Sequence, residues 1–143
     1  IGFCLVGSEM CIRDRLWSAN AILDANYHQL VLDTHVDFIK AGAEVIVTTT
    51  FATRQKRLKE NSLLDKFEYL NQKAGEIAQA AKQNFPNTYI AGGIPPQNLT
   101  YEADNRDEIE IIENFHSQAK TLNPYVDFFY FEFGVVLKRL NVG

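Results

Sequence analysis

Three short apolar runs, each separated from the next by an amphipathic stretch, constrain this chain more than any other feature. EVIVTTTF (44–51) is a compact β-branched run, the pattern of a buried parallel strand. TYIAGGI (88–94) reads as a second strand closed by Pro95-Pro96, and VDFFYFEF (126–133) as a third, entered through Asn123-Pro124. Between them the period changes to that of a helix. Residues 28–41 set Leu32, Val36 and Ile39 at helical spacing beside His35 and Phe38, with Gly42 as the stop. Leu63, Phe67, Leu70, Ala74, Ile77 and Ala81 step by four or three residues along one stripe. Asp104 is placed to cap a third helix whose Ile109, Ile112, Phe115, Ala119 and Leu122 share a face. Such alternation predicts βαβ units and a parallel sheet. The strand ends, near Thr50, Ile94 and Glu132, lie 44 and 38 residues apart. That interval suits either a (β/α)₈ TIM barrel or a doubly wound α/β sheet.

Residues 1–15 do not belong to this pattern. The stretch LVGSEMCIRD (5–14) has neither strand nor helix period, and Glu9, Arg13, Asp14 and Arg15 break any signal-peptide core. Its ten residues resemble a translated sequencing adapter of the transposase type, so residues 1–15 are expected to be an artefact and the natural sequence to begin near Leu16. Both cysteines, Cys4 and Cys11, fall in this segment, and a disulfide framework is unsupported. No run approaches the roughly 18–20 apolar residues of a membrane span. The net charge of −4 and the absence of a large basic patch argue against a nucleic-acid partner. The basic cluster RQKRLK (54–59) reads as a solvated loop. A cytoplasmic polypeptide is expected.

In parallel α/β folds, functional groups gather where strands end. Neither strand–helix turn carries a glycine-rich phosphate cradle. Thr48 and Thr50 close the first strand. They either hydrogen-bond a small ligand or are there as good strand formers. Gly92-Gly93 permits a close approach of ligand or backbone, or marks a bulge. Glu132 follows Phe128-Phe129-Tyr130-Phe131, a run too apolar for a surface face. Its carboxylate must find a partner such as a substrate ammonium, shift its pKa, or emerge at the rim. His28, His35 and His116 lack close metal-ligand spacing and are read as packing or solvent-facing residues.

LWSANAIL (16–23), HVDFIKAGAEVIVTTTFAT (35–53), AGGIPPQNLTYEAD (91–104) and PYVDFFYFE (124–132) together resemble the first half of a homocysteine S-methyltransferase domain. The resemblance implies a partial (β/α)₈ barrel, roughly strands 2–4 with their helices, over residues 16–143. It implies transfer of a methyl group to homocysteine from a small donor of the S-methylmethionine, betaine or methyl-folate type. It further implies a zinc cofactor, which holds homocysteine as its thiolate. Glu132 matches the glutamate that receives the substrate's amino group, while Thr48 and Thr50 match the polar end of the second strand in the pocket wall. The family's first strand and its Asp-Gly-Gly turn should precede Leu16, and its zinc cysteines belong to the second half of the barrel. Phe133 stands where the family usually has threonine, and GVVLKRLNVG (134–143) departs from the expected helix. An altered reading frame near residue 133 or ordinary divergence would account for this. This polypeptide is expected to be inactive and to bind zinc poorly. The rival reading is a flavodoxin-like ligand-binding or regulatory module without catalysis.

Overall fold

The computed structural model describes residue 16 and residues 18–98 and 104–132. The expectations placed on residues 1–15, with both cysteines, and on residues 133–143 lie outside the described residues. In chain order the elements are α1 (Ala19–Leu23), α2 (His28–Lys40), β1 (Val45–Val47), α3 (Gln55–Glu60), α4 (Phe67–Lys82), β2 (Tyr89–Ile94), α5 (Glu108–Leu122) and β3 (Phe128–Phe131), with 3-10 turns at Ala25–Tyr27, Leu64–Lys66 and Asn123–Tyr125. The three strands form one parallel sheet in the order β1-β2-β3. The α/β class and parallel pairing are as the alternation predicts.

Helix α4 is the centre of the packing. Its Leu70, Ala74 and Ile77 meet Ile22, Val31 and Leu58 from α1, α2 and α3. Ala78 and Ala81 turn toward the sheet and meet Ile39, Ile46 and Ile90. Small side chains on that line let the α4 backbone come close to the strands. Gly75 allows a like approach to the turn before β3, because a Cβ there would sit 2.6 Å from Tyr125 Cβ. Helix α2 stops where expected: Gly42 has φ +104°, and Ala43 N–H reaches back to Phe38 O at 3.0 Å, a bond that closes the last turn.

Alternation along the strands gives the sheet two unlike faces. Ile46 and Ile90 point to the helices. Val45, Tyr89, Phe128 and Tyr130 point the other way and are 42–56% exposed. A parallel sheet is ordinarily covered on both faces; among the described residues, helices cover one.

Five expectations require correction. The first strand is Val45–Val47, not 44–51, because the chain leaves the sheet at Thr48. RQKRLK is not a solvated loop: Gln55–Glu60 is helical, and Arg54 and Leu58 are buried. The cap of α5 is Asp107, whose carboxylate accepts from Ile109 N–H at 3.1 Å; Asp104 instead binds Arg106 and Asn98. Helix α5 also buries Asn114, Gln118 and Leu122 while Ile109 and Ile112 are exposed. Its apolar stripe is therefore turned partly outward. The run Phe128–Phe131 is likewise more exposed than its composition suggests, because β3 lies at the edge of the three described strands.

Candidate functional site at the carboxyl ends of the strands

Where the β1 backbone leaves the sheet, its side chains continue the pairing. Thr48 N–H still bonds Ala91 O at 3.0 Å. One step further, Gly93 N–H donates to the Thr48 hydroxyl at 3.0 Å, and the Thr50 hydroxyl donates to Gly93 O at 2.6 Å. That bond commits the single Thr50 hydroxyl proton, so at the 2.9 Å contact between the two threonines Thr48 is the donor. Both hydroxyl protons are spent inside the protein, and both residues are buried. Thr48 and Thr50 thus fix Gly93 in place.

Gly93 in turn lies under Glu132. A Cβ at position 93 would come within 2.5 Å of Glu132 Oε1 and 2.9 Å of Val47 Cγ1. The Glu132 backbone is held by its N–H donating to Ile94 O at 3.0 Å, just past the end of β3. Its carboxyl group is half-buried and has no hydrogen-bond or ion-pair partner among the described residues. Desolvation raises its pKa above the ordinary glutamate value.

Behind the threonines lies a polar cluster that the apolar patterns did not reveal. Gln118 of α5 donates to Thr50 O at 3.1 Å and to Asn71 Oδ1 at 3.1 Å, and accepts from Gln97 Nε2 at 2.9 Å. Asn71 of α4 also accepts from the Thr53 hydroxyl at 2.8 Å and donates to Phe67 O. All four side chains are at most 1% exposed. An amide at a buried helical position was the available signal: Asn71 lies between Leu70 and Ala74, and Gln118 one turn before Leu122.

Two further groups flank the site. His35 is buried on α2, with Nε2 at 3.5 Å from the Thr49 hydroxyl; burial pushes its pKa down to about 4. Arg54 is 2% exposed, donates to Phe51 O at 2.9 Å and lies over the Phe51 ring. Burial, and then the nearby Arg57, push its guanidinium down to about 10, so it remains charged at neutral pH. His28 bonds Ile22 O at 2.7 Å and His116 is exposed on α5. Among the described residues no three His, Cys, Asp or Glu side chains come together as a metal site. The zinc implied by the resemblance therefore finds no ligand set there.

A three-stranded parallel sheet with helices in the crossovers defines an α/β protein, a class in which functional groups gather at the carboxyl ends of strands. The chain belongs to the homocysteine S-methyltransferase family, whose pattern matches residues 6–140. It is 31% identical over 87 residues to homocysteine S-methyltransferase 2 of Zea mays, covering 60% of this chain and 25% of that protein. It is 30% identical over 107 residues to the S-methylmethionine–homocysteine S-methyltransferase BHMT2 of Rattus norvegicus, covering 75% of this chain and 27% of that one. The fold resembles that of the metallated homocysteine methyltransferase MmuM of Escherichia coli, with a TM-score of 0.69 and 22% identity over 85% of this chain and 47% of that chain. The alignments thus span about a quarter of the curated relatives and about half of the solved structure. No described helix is long and apolar enough to cross a membrane.

Proposed function

We propose that this chain is the homocysteine-binding part of a methyltransferase, and that Glu132 receives the substrate's ammonium group. The observation that carries this reading is the desolvated Glu132 carboxyl, lying over Gly93 without a partner among the described residues. An ammonium ion placed there favours the charged form of the acid, against the desolvation, through a charge-assisted hydrogen bond. Thr48 and Thr50 contribute to the pocket wall by holding Gly93, since their hydroxyl protons are already committed. Family membership supports methyl transfer to homocysteine and lends no support to a flavodoxin-like module.

In the reaction proposed, the homocysteine sulfur attacks the methyl carbon of a small donor of the S-methylmethionine, betaine or methyl-folate type. A new S–CH₃ bond forms as the donor's bond to that methyl breaks. The sulfur must be a thiolate to attack well. The described residues supply substrate orientation and no group that activates the thiol, so zinc would need ligands from elsewhere in the protein. We also read the three βα units as part of a (β/α)₈ barrel, which takes about 250 residues to close. Supporting this are the parallel order β1-β2-β3 and the fold likeness to half of a homocysteine methyltransferase.

The test is methionine formation from homocysteine by the product of the complete open reading frame, with each donor class supplied in turn. Turnover with one donor supports the reading. Failure of all three, in protein that carries stoichiometric zinc, overturns it.

A further inference from the structure

We infer that Gln118 is a positioning residue for Glu132: from helix α5 it holds the Thr50 backbone, and through Thr50 the Gly93 peptide against which the Glu132 carboxyl lies. The inference rests on the reading of Glu132 as the ammonium site, and it assigns the support of that site to a helix behind the sheet.

The segment after β1 has little ladder bonding of its own. Thr50 lies beyond the last strand residue, and its N–H bonds only as far as Thr48 O, 2.8 Å away. Gln118 Nε2 meets the Thr50 carbonyl at 3.1 Å and shares it with the Thr53 hydroxyl at 3.0 Å, which tethers Thr50 only to its own segment. The Thr50 hydroxyl then donates to Gly93 O at 2.6 Å. Gly93 has no side chain, and the Glu132 Oε1 takes the space that a Cβ there would need. Four residues thus link α5 to the acid through two hydrogen bonds and the close approach of Glu132 to Gly93.

A purely packing role would not require an amide. Leu122, one turn along the same helix, is 0% exposed and fills its place with hydrocarbon. Burying an amide costs free energy unless every polar atom is paired, and a paired network fixes one geometry where an apolar contact allows several. Gln118 satisfies both ends of its amide: the nitrogen faces Thr50 and Asn71, and the oxygen accepts from Gln97. Asn114, one turn earlier, supplies the internal control. It is also buried, yet its amide bonds only Glu110 O of its own helix, at 2.7 Å.

The test is the titration of Glu132 in the full chain without ligand, followed by carboxyl-carbon NMR. Gln118→Met keeps the length of the side chain and removes its hydrogen bonds; Gln118→Leu is the second variant, and Asn114→Leu the control. Loosening Gly93 admits water to Glu132. Its midpoint should then fall measurably toward the ordinary glutamate range in a Gln118 variant. In Asn114→Leu it should not move. An unchanged midpoint in a folded Gln118 variant, or an equal fall in Asn114→Leu, overturns the proposal. Homocysteine is absent from this measurement. A failure of the substrate reading would appear separately, as homocysteine affinity unaffected by Glu132→Gln.

Discussion

Glu132 Oε1 occupies the space that a side chain on Gly93 would need, with only 2.5 Å between that oxygen and a Cβ built on residue 93. Two strands therefore meet at this point through a carboxyl group and a missing methyl. Gly93→Ala should push the carboxyl group off the strand end, since a flexible side chain yields before the Val47 contact at 2.9 Å does. The expected cost in stability is about 1–3 kcal/mol for overpacking. The diagnostic effect is weaker homocysteine binding by calorimetry in the complete protein, with the far-UV circular dichroism unchanged.

Glu132→Gln keeps the shape and removes the charge. Loss of one charge-assisted hydrogen bond should weaken homocysteine binding by roughly 1.5–3 kcal/mol, about ten- to a hundredfold. Metal content of the complete protein should stay as it was. In the wild type, homocysteine affinity should rise with pH as Glu132 ionises, and that rise should be missing from the variant. Equal affinities across pH in the two proteins would return Glu132 to an ordinary rim carboxylate.

His35 should make the fold acid-sensitive. Its pKa is lowered from 6.5 to about 4, so the unfolded chain binds the proton more readily than the folded one. The stabilisation is present above pH 6.5 and is lost as the pH falls through 4. Its size, taken from the shift, is about 3 kcal/mol. Urea unfolding at pH 7 and pH 4 should show His35→Phe losing less stability than the wild type over that interval. A parallel loss in both proteins would show that His35 is not the sensitive group.

Gly75 should tolerate no side chain. A methyl there would lie 2.6 Å from both Cβ and Cγ of Tyr125, and neither atom is at the mobile end of its side chain. Gly75→Ala should lower the midpoint of thermal unfolding, at a cost of about 1–3 kcal/mol, despite alanine's better helix propensity. The Glu132 titration should be unaffected, which separates damage to the scaffold from damage to the site.

The periodic parts of the chain were legible in the sequence. The stripe from Phe67 to Ala81 is buried as spaced, the Gly42 stop is in place, and the three strands lie where the apolar runs put them. The ends were harder to read. Threonine suits a strand and a turn equally, so nothing in TTTF marks Thr48 as the point of departure. Helix α5 misled because hydrophobic period alone orients a helix only when apolar surface decides its rotation. Here the amides of Asn114 and Gln118 face inward. Glu132 could be singled out because an acid after four aromatic residues is conspicuous, but its contact with Gly93 required coordinates.

The use of Thr48 and Thr50 as extensions of the ladder bears on how mutational scans of this site should be interpreted. Removing either hydroxyl unpairs a Gly93 peptide group, so the sheet would fray beneath Glu132 and the acid would lose its footing. A scan scored on activity would record both threonines as sensitive, in the same column as residues that touch substrate. Amide exchange at Gly93 tells the cases apart, because its N–H is shielded by the Thr48 hydroxyl alone among the described partners. Faster exchange there on Thr48→Val, without ligand present, would mark a seam in the sheet where an activity screen reports a binding contact.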